Sequence, residues 1–280
     1  MPRSADKSTA LWVLKRLRTH GYGALFAGGC VRDMLLGLRP TDYDIATAAT
    51  PDEVRRLFPH VLLVGARFGV AVVVHRGRHV EVATFRSDVS YSDGRRPDAV
   101  KFSTPKDDAL RRDFTINGMF HDPIANEVID YVGGRKDLTA GIIRAIGRPS
   151  ERFAEDYLRL IRAVRFAARF GFRIDRATAS AVRKYAPKIA SVSGERICDE
   201  LSKMLSHPSA GRGLELCHSL GLAQAMLPEL FAGDALWNVA VERVGARIPV
   251  HVPMRSTRTL IQGGGNNIGH ELVVENNAGS

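Results

Sequence analysis

Across the first 140 residues, apolar positions come in short blocks, some alternating with polar residues, each bounded by turn residues. This pattern predicts brief strands and helices in turn. A helix over Ala10 to Arg18 leads to a strand at Ala24 to Ala27. A helix from Val31 to Leu36 stops at Gly37, and a strand over Asp42 to Ile45 follows. Pro51, with Asp52 and Glu53 behind it, opens a further helix, because proline fits the first turn and acids suit the N-terminal dipole. Gly69 to His75 and His79 to Phe85 read as strands joined by a turn at Arg76–Gly77, and Val89 to Pro97 as a polar loop. A helix from Asp107 carries Asp108, Arg111, Arg112 and Asp113. After the Gly133–Gly134 turn the period becomes helical, almost without interruption from Ser150 to Phe231. The helix Phe153 to Arg169 has an apolar stripe of Leu158, Ile161, Val164, Phe166 and Ala168, with its arginines mostly on the other side. Beyond Ala232 no helical period is evident, and the chain ends in a Gly/Asn-rich run that reads as loosely ordered.

The fold class expected is therefore an α/β unit on a small mixed sheet over residues 1–140, followed by an all-helical part over 141–231 and a distinct segment over 232–280. The 280 residues, 45% of them hydrophobic, suffice for two units with real cores. Lys plus Arg exceed Asp plus Glu by 40 to 30, giving a net charge of +10 and favouring a polyanionic partner. Arginine dominates that excess, which suits bidentate phosphate contact. The three cysteines, Cys30, Cys198 and Cys217, are widely spaced and offer neither a disulfide framework nor a zinc pattern, which fits a reducing cytoplasm. The start of the sequence reads as an amphipathic helix and not a secretory signal, and no apolar run is long enough to span a bilayer.

The chemistry concentrates in a few segments. Asp42 and Asp44 alternate with Tyr43 and Ile45, so on a strand both carboxylates point the same way. Two like charges side by side call for a cation, and aspartate oxygens suit Mg²⁺ when substrate phosphates supply the remaining ligands. Two solvated aspartates in a surface loop are the plain alternative. Gly28 and Gly29 allow a ligand close to the backbone at a helix start, and Arg32 adds a guanidinium suited to phosphate. Glu81 joins the carboxylates if its strand lies beside theirs; otherwise it is an acid paired with an arginine. Arg111, Arg112, Asp113 and Asn117 mix cations with hydrogen-bonding groups suited to triphosphate and ribose, or else cap and charge a helix end. Asp156 and Arg159 are three apart on the expected helix and so share a face. Facing a base, they set an acceptor beside a donor, which matches cytosine and adenine and leaves uracil or guanine unpaired. Most such pairs are surface salt bridges. The same helix carries Arg162 and Arg165 beside this candidate phosphate site.

With these motifs in order, the chain resembles the bacterial-type (class II) tRNA nucleotidyltransferase and poly(A) polymerase family. The resemblance is carried by GGCVRD and DYD within Gly28–Asp44, EVATFR at Glu81–Arg86, RRDFTIN at Arg111–Asn117, EDYLR with IRAVRFAARFGF at Glu155–Phe172, and SGERICDEL at Ser193–Leu201. It implies a nucleotidyltransferase head and a helical neck. It also implies two Mg²⁺ ions on Asp42 and Asp44, base reading by Asp156 and Arg159, and sugar and phosphate binding by Arg111, Arg112 and Asp113. The activity implied is template-independent addition of C and A to a tRNA 3′ end from CTP and ATP, with release of pyrophosphate. A poly(A) polymerase and a catalytically weak RNA-binding remnant are the alternatives. Gly118 stands where the family usually has alanine and Tyr157 where it often has proline. The family's longer helical body and tail, which grip tRNA, find no match in the Gly/Asn-rich end.

Overall fold

The structure is a computed structural model that describes residues 3–4, 6–88 and 100–231, with positions 237, 239, 242 and 244. The chain divides into units Met1–Pro249 and Val250–Ser280, and the second lies wholly outside the described residues, as does the 89–99 stretch read as a polar loop.

In the first part, β1 (Arg3–Ser4) precedes α1 (Lys7–Thr19), which starts where the Asp6 carboxylate accepts the Thr9 amide at 2.9 Å. Helix α1 buries Ala10, Val13, Leu14 and Leu17, the apolar set that its spacing puts on one side. Then come β2 (Ala24–Ala27), α2 (Gly29–Leu35), β3 (Asp44–Thr47) and α3 (Pro51–Leu57), the last opened by Pro51 and a Thr50–Glu53 capping box. β4 (Val61–Gly65), β5 (Val70–His75) and β6 (Arg78–Thr84) follow. The β5–β6 turn places Arg76 and Gly77 at φ 49° and 71°, the left-handed pair that suits a two-residue hairpin. β7 (Arg86–Asp88) pairs with β8 (Val100–Phe102), α4 (Pro105–Leu110) begins at a Thr104 cap, and β9 (Met119–Asp122) pairs with β10 (Glu127–Asp130).

Among the described residues the main sheet has eight strands in the order β10-β9-β2-β3-β6-β5-β4, with β1 also on β6. The β3–β6 and β1–β6 pairs are parallel and the rest antiparallel, so the sheet is mixed as expected. Phe26, Ile45, Val80 and Val82 lie on one face, which α1 covers. Leu25, Ala27 and Ala46 lie on the other, with Phe85, Ala109 and Phe120.

The second part comprises α5 (Gly134–Ala140), the short parallel pair β11 (Ile142–Ile143) and β12 (Arg173–Ile174), α6 (Pro149–Glu155), α7 (Leu158–Phe170), α8 (Arg176–Tyr185), α9 (Gly194–Leu205), α10 (Ala210–Ser219) and α11 (Leu222–Met226). Helix α7 is the centre: Leu160, Ile161, Ala163 and Val164 are fully buried, and α9 and α10 pack against it. Phe166 meets Phe114 edge-on at 5.9 Å, which fixes α7 to the segment that follows α4.

Four differences from the sequence expectation bear on the site. Asp42 lies just before β3, whose first residue is Asp44. Helix α4 ends at Leu110, so Arg112 and Asp113 stand beyond it. The helix expected over Phe153 to Arg169 is two helices, broken where Asp156 is extended at φ −156° and its carboxylate accepts the Leu158 amide at 3.1 Å, opening α7. Past Ala232 the described positions Trp237, Val239, Glu242 and Val244 are helical, and Trp237 is buried against His218 at 5.5 Å between ring centroids.

Candidate active site

A polar cleft of about 810 Å³ lies between the sheet's open face and α7. All the sequence-predicted residues, Gly28, Gly29, Arg32, Asp42, Asp44, Glu81, Arg111, Arg112, Asp113, Asn117, Asp156, Arg159, Arg162 and Arg165, line it.

One wall is acidic. Alternation holds from Asp42 to Ile45, because Tyr43 and Ile45 are buried in the core while Asp42 and Asp44 face solvent. Register pairs Ile45 with Val82, so one step back Asp44 stands beside Glu81. Burial on its protein side, and then Glu81 and Asp42, push the Asp44 carboxyl up to about 7 against the pull of Arg112. Burial also raises Glu81, which Arg86 opposes and Asp42 reinforces. This wall carries acidic charge that the protein itself leaves poorly compensated, and a divalent cation fits it. Among the described residues no three His, Cys, Asp or Glu side chains are grouped to hold an ion; Asp42 and Asp44 are the candidate ligands, and the Glu81 charge reaches Asp44. Substrate phosphates would complete such a set.

Gly28, at φ 71°, forms the turn into α2 beside this wall. The positive φ is what calls for glycine here; a Cβ on Gly28 would also sit 2.8 Å from Arg112 Nη1, so that guanidinium would have to shift. Arg32, read as a guanidinium suited to phosphate, lines the cleft and is also bound within the protein. It is buried, donates to Asn117 Oδ1 at 2.6 Å, pairs with Asp33 at 2.7 Å and lies over the Phe166 and Phe170 rings at 5.2 and 4.7 Å. These contacts tie α2 to α7 and to the Thr115–Asn117 turn while Arg32 lines the cleft.

The opposite wall is built of arginines tied to carboxylates. Arg111 and Arg112 share the buried Asp108, at 2.6 and 2.9 Å, so the pair presents less charge than two free cations. Asp113 accepts from Arg162 at 2.6 Å, from Asn117 Nδ2 at 3.0 Å and from the Phe114 amide at 2.7 Å. Burial opposes its ionisation, yet Arg162 and Asn117 hold it down at about 2. Arg165 donates to Glu200 at 2.6 Å, both buried. The Arg159 amide donates to the Asp156 carbonyl at 3.1 Å, while their side chains also have other partners. Asp156 accepts from Arg196 at 2.8 Å, and Arg159 donates to Glu155 at 2.5 Å and to the Arg152 carbonyl at 2.8 Å. Both still line the cleft, each held by its own partner.

Arg196, Glu200 and Asp108 were not singled out as site residues by the sequence, although they fix those that were. Their signal was present: Arg196 and Glu200 are four apart on α9 and so face α7 together. Gly118, which stands where the family usually has alanine, is closely packed: a Cβ there would lie 2.7 Å from Val132 Cγ2 and 3.0 Å from Ile146 Cδ1.

Comparison with known proteins agrees with this geometry. Residues 24–144 match the poly A polymerase head domain, and residues 171–233 match a domain described as the probable RNA and SrmB- binding site of polymerase A. The chain is similar to the CCA-adding enzyme of Geobacillus stearothermophilus, 44% identical over 222 residues that cover 79% of this chain and 54% of that protein. It is also similar to poly(A) polymerase I of Salmonella typhi, at 40% identity over 88% of this chain and 56% of that one. The crystal structure of the Bacillus stearothermophilus CCA-adding enzyme in complex with CTP superposes with a TM-score of 0.74 at 40% identity, covering 85% of this chain and 57% of the other. The chain thus spans a little over half the length of these relatives.

Proposed function

From the chain's membership of the tRNA nucleotidyltransferase and poly(A) polymerase family, we propose that it extends the 3′ end of tRNA with C and A, taking CTP and ATP and releasing pyrophosphate. The observation that carries this reading is one cleft lined both by Asp42 and Asp44 and by Asp156 and Arg159. The first pair suits metal-assisted phosphoryl chemistry, and the second suits recognition of a base by an acceptor and a donor.

Asp42 and Asp44 would hold the divalent ions. Two Mg²⁺ ions there would supply Lewis acidity both to the attacking 3′-hydroxyl and to the departing pyrophosphate. Arg111, Arg112 and Arg162, each fixed by a carboxylate, orient the triphosphate for in-line attack on its α-phosphate. Asp156 accepts from the exocyclic amino group of cytosine or adenine, while Arg159 donates to the neighbouring ring nitrogen. Arg196 holds the Asp156 carboxylate in place for that contact. Residues 1–140 serve as the catalytic head and 141–231 as the neck that reads the base and meets RNA. No helix among the described residues is long and apolar enough to cross a membrane, and the three cysteines are free, so a reducing cytoplasm is the setting we assign.

The test is incorporation of labelled CTP and ATP into tRNA lacking its 3′ end, with Mg²⁺. Growth by C and A that stops is the expected result. Long ATP-only tails would assign the chain to poly(A) synthesis, and no incorporation would overturn the catalytic reading.

A further inference from the structure

A second cavity, of about 280 Å³, opens beside the cleft and shares Arg165, Arg169 and Lys203 with it. Its remaining walls are Met204, Ser206, His207 and Ser209, from the end of α9 and the turn into α10. Its lining includes three cations, two hydroxyls and an imidazole, and no carboxylate. Glu200 and Asp33, the acids nearest its cations, lie outside its walls, but Glu200 holds Arg165 at 2.6 Å, so Arg169 and Lys203 are the cations left to meet a ligand. Arg169 stands 3.6 Å from Asp33, and Lys203 is 3.6 Å from Glu200. Both separations exceed hydrogen-bond length, so each cation keeps donors for an added acceptor.

His207 has the matching polarity. The Ser209 amide donates to its Nδ1 at 3.2 Å, which makes Nδ1 an acceptor and puts the ring proton on Nε2 as a donor. Burial, and then the Arg169 charge, lower its pKa from the usual histidine value and favour this neutral form. Such a cavity takes an anion with several acceptor oxygens, and phosphate is the group that fits. Asp42, Asp44 and Glu81 do not line it, so it stands apart from the wall where a nucleotide's α-phosphate reacts. An RNA strand entering the cleft brings one phosphodiester per nucleotide. We propose that this cavity is the subsite for a phosphodiester of the RNA strand being extended, and so sets the register of its 3′ end. The proposal rests on the function assigned above.

The experiment compares Ser206→Glu with Ser202→Glu, both at exposed positions of the same helix end, the second outside the cavity. Each is titrated with a minihelix ending in CC and, separately, with CTP, at two salt concentrations. Ser206→Glu is expected to weaken minihelix binding about tenfold and to lower the salt slope by about one. CTP affinity and the Ser202→Glu protein should stay near wild type. Loss of CTP affinity with RNA affinity unchanged would make the cavity an extension of the nucleotide site and overturn the proposal. Equal RNA loss in both glutamate variants, or none in either, would overturn it too. Incorporation by the wild-type chain tests the function separately, so failure of one does not read as failure of the other.

Discussion

The two walls of the cleft treat charge in opposite ways. On the sheet side, Asp42, Asp44 and Glu81 crowd one another and Asp44 is pushed up to about 7, first by burial and then by its acidic neighbours. On the α7 side, Arg162 is matched by Asp113 and Arg165 by Glu200, both carboxylates buried. Like charges crowd on the sheet wall, which is where we place the divalent ions of the proposed reaction. Arg162 and Arg165 on the α7 wall are each matched by a carboxylate, so they are held in position before any phosphate arrives. Catalytic groups and supporting groups are thus separable by whether their charge is satisfied internally.

The sharpest way to break that contrast is to remove the acidic wall. Asp42→Ala or Asp44→Ala should lower nucleotide incorporation about a thousandfold or more, a loss of roughly 4 kcal/mol in transition-state stabilisation. The same variants should melt no lower than wild type in EDTA, because they relieve repulsion. A large fall in melting temperature would place these aspartates among the supporting groups.

The opposite outcome is expected on the α7 side. Glu200→Gln removes the buried partner of Arg165 and should destabilise the fold by about 3 kcal/mol, seen in urea unfolding. Unchanged stability would show that Arg165 and Glu200 do not neutralise each other.

Asp113 gives the contrast a pH signature. Its folded pKa, about 2, lies below its unfolded value of 3.8, so its ionised form stabilises the fold. That contribution, roughly 2 kcal/mol, is present above pH 4 and is lost as pH falls towards 2. Asp113→Asn should lack this component of acid unfolding, and a profile identical to wild type would remove Asp113 from the network.

Base selection is a smaller effect. Asp156→Ala should raise use of UTP or GTP relative to CTP and ATP by about tenfold, measured in competition. Activity lost with selection intact would make Asp156 a cap for α7 and nothing more. Glu81→Gln should raise the Mg²⁺ needed for half-maximal rate by less than about tenfold, since it acts on Asp44 through charge. An effect as large as that of Asp44→Ala would make it a ligand.

Much of this was legible in the chain. The strand Ala24–Ala27 has the boundaries expected, and the Arg76–Gly77 hairpin is where the turn residues put it. Alternation of Asp42 to Ile45 predicted which residues face the cleft, and burial agrees. The break at Asp156 was not legible, because it is shaped in part by Arg196, 40 residues later. Nor was the fate of Arg32, whose partner Asn117 is 85 residues away. Local pattern reports faces and turns; it carries no information on which distant charge will meet which.

By itself the sequence determined the small mixed sheet, the helical part behind it, and the set of residue types at the cleft, because backbone periodicity and turn preference act over a few residues. Only the tertiary structure decided that Glu81 stands beside Asp44, that Asp156 and Arg159 are held by different partners, and that Arg32 meets Asn117 at the cleft wall. The reason is that charge interactions depend on distance and burial in space, and the groups concerned are brought together only when β3 pairs with β6 and α9 packs on α7.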